Sequence, residues 1–122
     1  MRTALDPRHK KRQDLLKELF KIEFHKQKIS VDAHEIINHQ IQLDEKIQEA
    51  AKEFPIQKIN KVDLAILRLA VYELDFVKKA PTNVIIDEAI ELAKEFSGST
   101  SPGFINGVLG NIINKQQNEY QS

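Results

Sequence analysis

The stretch that most limits how this chain can fold is VDLAILRLAVYELDF, residues 62–76. Val62, Leu64, Ile66, Leu67, Leu69, Ala70, Val71, Leu74 and Phe76 leave almost no polar face. An α-helix that is apolar nearly all round is a central, buried one. Asn60 is placed to cap it, and Asp63 adds negative charge near its positive end. Arg68 lies within this apolar helix and needs an anion. Glu88, near the apolar face of the next helix, is the expected partner, in a structural rather than a catalytic pairing.

The following segment, Pro81 to Gly110, reads as two helices joined by a small-residue hinge. Pro81 and Thr82 open the first, whose Ile85, Ala89, Leu92, Ala93 and Phe96 recur at steps of three and four. Ser97-Gly98 supplies a stop, with glycine expected in the left-handed turn past the helix end. Ser101-Pro102 restarts the chain with a capping hydroxyl and a proline at the first helical position. All four glycines fall between residues 98 and 110, and each interior glycine costs a helix about 1 kcal/mol relative to alanine. Gly103 and Gly107 therefore imply a close approach to the backbone. Its source is either a packed neighbouring helix or a ligand or partner lying beside Phe104 and Asn106.

At the other end, Asp6-Pro7 is a helix start, and the helix is expected to reach about Gln27. Leu15, Leu16, Leu19, Phe20, Ile22 and Phe24 form its apolar face. Arg8, His9, Lys10, Lys11 and Arg12 crowd its first turns, where cations oppose the helix dipole. Such a run is either a solvated charged face or, with the free N–H groups of the helix end, a phosphate-binding site. Ser30 or Asp32 can cap a second long helix, expected to continue to Phe54 through Ile36, Gln40, Leu43, Ile47 and Ala50. Gln40 is expected at the core edge and Pro55 at the stop. Residues 56–59 make a connector or single turn, Ile112 and Ile113 close the core pattern, and 115–122 form a polar tail expected to fray.

A chain of 122 residues suffices for one domain, 1–122, with an N-terminal group over 6–54 and a C-terminal group over 60–114. It has no cysteine, which suits a reducing compartment. No apolar run reads as a signal peptide or membrane span. Net charge is zero, yet residues 1–28 hold nine Lys and Arg against four Asp and Glu. A basic end on a neutral molecule points to a localised polyanion contact. His9, His25, His34 and His39 show no metal-ligand spacing, and no phosphate loop or nucleophile elbow is present. The expectation is a protein that is not an enzyme and needs no metal or cofactor.

NVIIDEAIELAKEF followed by SPGFINGVL resembles the C-terminal signature of the NusB family, the transcription antitermination factors of bacteria. Its members read as a proline, V-x-I-N-E-A-V-E-L-A-K-x-F, a short hinge and F-V-N-G-V-L. Asp87 stands where Asn is usual, and Ile105 where Val is usual. VDLAILRLAVYEL resembles the family's L-R-x-A-x-Y-E-L helix, so the likeness covers residues 60–113. The family's N-terminal R-R-x-A-R segment is matched at Arg8 and Arg12. His9 and Lys10 lie within it, Lys11 replaces the small residue, and Phe20 stands where tyrosine is common.

The resemblance implies an all-α, compact bundle of about five to seven helices, with its N-terminal part shortened. It implies a cytoplasmic factor, monomer or homodimer, that binds boxA RNA of ribosomal RNA transcripts together with NusE, a small-subunit ribosomal protein. The pair would help assemble an antitermination complex on RNA polymerase. Arg8, His9, Lys10, Lys11, Arg12, Phe104 and Asn106 would meet RNA. Glu73, Thr100 and Ser101 would lie on the NusE surface, Thr100 replacing an Asp found in some relatives. Arg68, Glu88, Gly103 and Gly107 would be structural. Two alternatives stay open: an RNA-binding module associated with ribosomal RNA modification, and a protein-binding helical adaptor whose basic end is incidental.

Overall fold

The computed structural model describes residues 6–21 and 29–121. The elements in chain order are α1 (Pro7–Lys21), α2 (Val31–Asn38), α3 (Gln40–Ala50), a 3-10 turn (Ile56–Lys58), α4 (Lys61–Tyr72), a π-helical turn (Glu73–Val77), α5 (Thr82–Phe96) and α6 (Ser101–Gln121). Among the described residues the architecture is an all-α bundle of six helices. The expected continuation of α1 through Ile22 and Phe24 to Gln27 lies outside the described residues.

As its apolar perimeter requires, α4 is the axis, and all five other helices pack on it. Ile66, Leu67 and Val71 have no solvent exposure and meet Leu16, Ile36, Leu43, Ile47, Ile85, Leu92, Ile105 and Leu109 from the surrounding helices. Truncating any one of these large side chains to alanine removes about 2–5 kcal/mol of stability. Asn60 caps α4 as its side chain predicts, accepting from the Val62 N–H at 2.8 Å and the Asp63 N–H at 3.4 Å.

The single long helix expected up to Phe54 is instead two. At His39 (φ −100°, ψ 8°) the imidazole Nδ1–H donates to the Glu35 carbonyl at 2.8 Å, competing with the backbone for that acceptor. The chain turns there, and the ring packs 4.1 Å from that of Phe76. α3 then ends at Ala50, before Pro55 is reached. Gln48 closes the exit: its amide donates to the carbonyls of Ala51 and Phe54 and accepts from the Ile56 N–H at 2.7 Å.

Arg68 does not meet Glu88. Its guanidinium faces α3 and grips Asp44 through two bonds of 2.7 and 2.8 Å, whereas Glu88 faces α1. Gly98 is not left-handed; the one described residue with positive φ is Lys78 (φ 55°), which closes the π-helical turn. The chain leaves α5 extended at Ser97, held by its side chain rather than by a glycine turn. The tail expected to fray continues α6 to Gln121. Lys115 pairs with Glu49, and Gln116 donates to Asp75 at 3.1 Å, so polar contacts prolong the helix where apolar periodicity has ended.

Candidate functional site

Asp6 starts α1 by accepting the Arg8 N–H at 2.9 Å, and that bond, with the Arg8 guanidinium, holds its carboxyl below the usual range. The five basic residues that follow divide by helical phase. Arg8, Lys10 and Lys11 point to solvent, where Arg8 folds back on Asp6, Lys10 pairs with Asp14 at 3.0 Å and Lys11 with Asp32 at 3.3 Å. Pairs so exposed contribute little to stability and exchange readily for other anions.

His9 and Arg12 point the other way. Steps of three, four and three lead from residue 9 through 12 and 16 to 19, so both lie on the side of α1 that carries Leu16 and Leu19 into the core. His9 is only 5% exposed, its Nδ1 2.5 Å from Glu88 and its Nε2 2.5 Å from Glu95. Burial would push its pKa down, but hydrogen bonds to Glu88 and Glu95 and their charges outweigh it, and the net direction is up. Arg12 makes a two-pronged contact with Glu73 at 2.8 and 2.7 Å and stands 3.7 Å from Glu88. The bond to Glu73 raises its pKa further. Of the expected RNA contacts, these two are thus occupied by the carboxylates of Glu73, Glu88 and Glu95, and Glu73 of the expected partner surface is held by Arg12.

The π-helical turn makes this possible, since it ends α4 with Glu73 turned to α1 and Asp75 turned to Lys46 of α3 and Gln116 of α6. At the α5–α6 hinge Thr100 is exposed but Ser101 is buried. The Ser101 hydroxyl donates to Asp63 rather than capping its own helix, and the Ser97 hydroxyl donates to the other oxygen of that carboxylate at 2.6 Å. Asn106 is exposed, while Phe104 is half-buried and meets Phe54 edge-on with centroids 5.2 Å apart.

Gly103 and Gly107 overturn the expected close packing: a Cβ on either would meet no atom within 4 Å. They line an open groove of about 570 Å³ between α3 and α6, with Phe54, Phe104, Asn111 and Lys115 around them. Among the described residues no helix is long and apolar enough to cross a membrane. None of them form a His, Cys, Asp and Glu cluster able to hold a metal ion.

The family model described as "NusB family" matches residues 9–114, from the inward-facing His9 to the last buried turn of α6. The chain belongs to the NusB family. It is similar to the transcription antitermination protein NusB of Clostridium novyi (strain NT), 46% identical over 71 residues, 58% of this chain and 53% of that one. It is likewise similar to the protein of that name from Clostridium botulinum (strain Kyoto / Type A2), 54% identical over 72 residues, 59% and 50% of the two chains. The matched stretch spans about half the length of these curated relatives. Among solved structures, T. maritima NusB superposes with a TM-score of 0.75 at 32% identity, covering 92% of each chain. As a NusB-family chain, this one keeps the proline-to-F-x-N-G segment as α5, hinge and α6, and the L-R-x-A-x-Y-E-L segment as α4 and the start of the π-helical turn.

Proposed function

We infer that this chain is a transcription antitermination factor that binds boxA RNA of ribosomal RNA transcripts together with NusE, and so contributes to an antitermination complex on RNA polymerase in the cytoplasm. The observation that carries the RNA part is the solvent face of α1. Asp6 already takes the backbone N–H groups of Arg8 and Lys10 at the helix start, so the face rests on the side chains of Arg8, Lys10 and Lys11, whose carboxylate partners a phosphate can replace. His9 and Arg12 support this face from behind rather than forming it. Membership of a family whose relatives are named for transcription antitermination supports the role.

Phe104 and Asn106 form the second candidate contact. A half-buried ring beside an exposed amide suits a splayed base, stacked on one face and hydrogen-bonded at its edge. Thr100 and the accessible part of Glu73 are the proposed NusE contacts, with Ser101 acting through the hinge it anchors. The experiment is binding of a short boxA-like RNA and a scrambled control, with and without NusE, over a range of salt. Preference for boxA that strengthens with NusE is expected. Equal, salt-erased binding to both RNAs would leave the basic face as an ordinary charged surface.

A further inference from the structure

We propose that His9 is a proton-operated latch that holds the basic first turns of α1 against α5, and that losing one proton from its site frees them. Its consequence for RNA rests on the reading of the α1 face given above.

The geometry of the two ring nitrogens carries the proposal. Nδ1 lies 2.5 Å from Oε2 of Glu88 and Nε2 lies 2.5 Å from Oε1 of Glu95. Ionised carboxylates only accept hydrogen bonds, so both nitrogens must donate, and only the imidazolium has two N–H groups. A neutral ring would set a nitrogen lone pair against a carboxylate oxygen inside the protein. One proton, shared by an imidazole and two carboxylates, is therefore what closes both contacts at once.

The charges around the ring decide which contact opens. From α5 come Glu88 and Glu95; from α1 itself, Arg12 and Asp6; from the π-helical turn, Glu73, held by Arg12. Glu88 is buried, and the Arg12 guanidinium 3.7 Å from it is a second cation that would still compensate its charge beside a neutral ring. Glu95 is partly exposed, with Gln13 donating to its other oxygen at 2.5 Å. Water can solvate Glu95 but not Glu88, so the Glu95 contact is the one that gives way. Arg8 and Lys10 are the chain neighbours of His9, and Lys11 follows. Freedom at His9 is freedom for the groups proposed to meet phosphate.

The test is a titration of the whole chain, following the histidine rings by NMR with His9→Gln as the assignment control, and amide exchange across α1 relative to intrinsic rates. The His9 ring should keep its proton above the free imidazole value of about 6.5. As it deprotonates, protection of α1 should fall, by up to about tenfold for each unit of elevation. Glu95→Gln should remove that response, because an amide can either accept from an N–H or donate to a bare nitrogen. A ring that titrates at or below the free value would overturn the latch. So would α1 protection indifferent to the titration, or an unchanged pH response in Glu95→Gln. RNA affinity is then measured across the same range and should fall as the latch opens. Affinity flat through a working latch would cut its link to RNA. If no RNA binds at any pH while the protection change persists, the RNA reading fails and the latch stands.

Discussion

The Oγ of Ser101 donates to Oδ2 of Asp63 across 2.9 Å, tying the first turn of α6 to the first turn of α4. Ser97 donates to the other oxygen of the same carboxylate, and the two hydroxyl oxygens are 2.8 Å apart. One buried acidic side chain thus sets both ends of the α5–α6 hinge, the segment that displays Thr100 and leads into Phe104 and Asn106. Asp63→Ala strands a buried hydroxyl and should destabilise the chain by about 1–3 kcal/mol. Urea denaturation checks this through a lower midpoint at unchanged slope. Asp63→Asn, which keeps an acceptor oxygen, should lose less than the alanine variant.

Arg8 and Arg12 stand four residues apart and should behave as opposites. Arg12 holds a nearly buried pair with Glu73, and removing one member of such a pair leaves an uncompensated charge. Arg12→Ala should therefore lose about 3 kcal/mol or more. Arg8 is exposed at 82% of its side chain, so Arg8→Ala should stay within about 0.5 kcal/mol of the parent in stability. It should nevertheless weaken RNA binding and lower the slope of log affinity against log salt by about one phosphate contact. Melting curves and RNA titrations of the two variants, side by side, separate the supporting residue from the contacting one.

That division shows where the sequence was legible. The central helix, its Asn60 cap, the Asp6 and Ser30 starts and the helical class all follow from side chains acting on their own local backbone. The pairing of Arg68 did not follow, because Asp44 and Glu88 are equally plausible acids until helix azimuth chooses between them. The break at His39 was hidden because its cause is one imidazole bonding a carbonyl four residues back, within an apolar stripe that Gln40 alone interrupts and that resumes in phase at Leu43. The inward turn of His9 and Arg12 had a signal: the stripe of Leu16 and Leu19, extended backwards, lands on both. Charge alone drew them to the surface.

The raised pKa of His9 makes folding stability depend on pH with a definite sign. A group that binds its proton more tightly when folded stabilises the native state, fully below the unfolded value of about 6.5. That contribution is lost as pH rises through the higher folded value. The parent should thus exceed His9→Gln in stability by most under mildly acidic conditions and converge toward it on the alkaline side. Paired urea titrations at a series of pH values measure the difference. A gap that widens with rising pH would contradict the sign.

The open groove makes Gly103 and Gly107 a test of why a helix tolerates them. Neither has positive φ, and an added Cβ at either meets nothing within 4 Å, so this fold gives neither a conformational nor a packing reason for glycine. Replacing an unneeded glycine inside a helix with alanine gains about 0.5–1 kcal/mol, chiefly by restricting the unfolded chain. Gly103→Ala and Gly107→Ala should each raise the denaturation midpoint, and the double variant should approach their sum unless the two methyl groups meet across the helix turn. A loss of stability in either would mean that the backbone of α6 comes closer to a neighbour in solution than its position beside the groove allows.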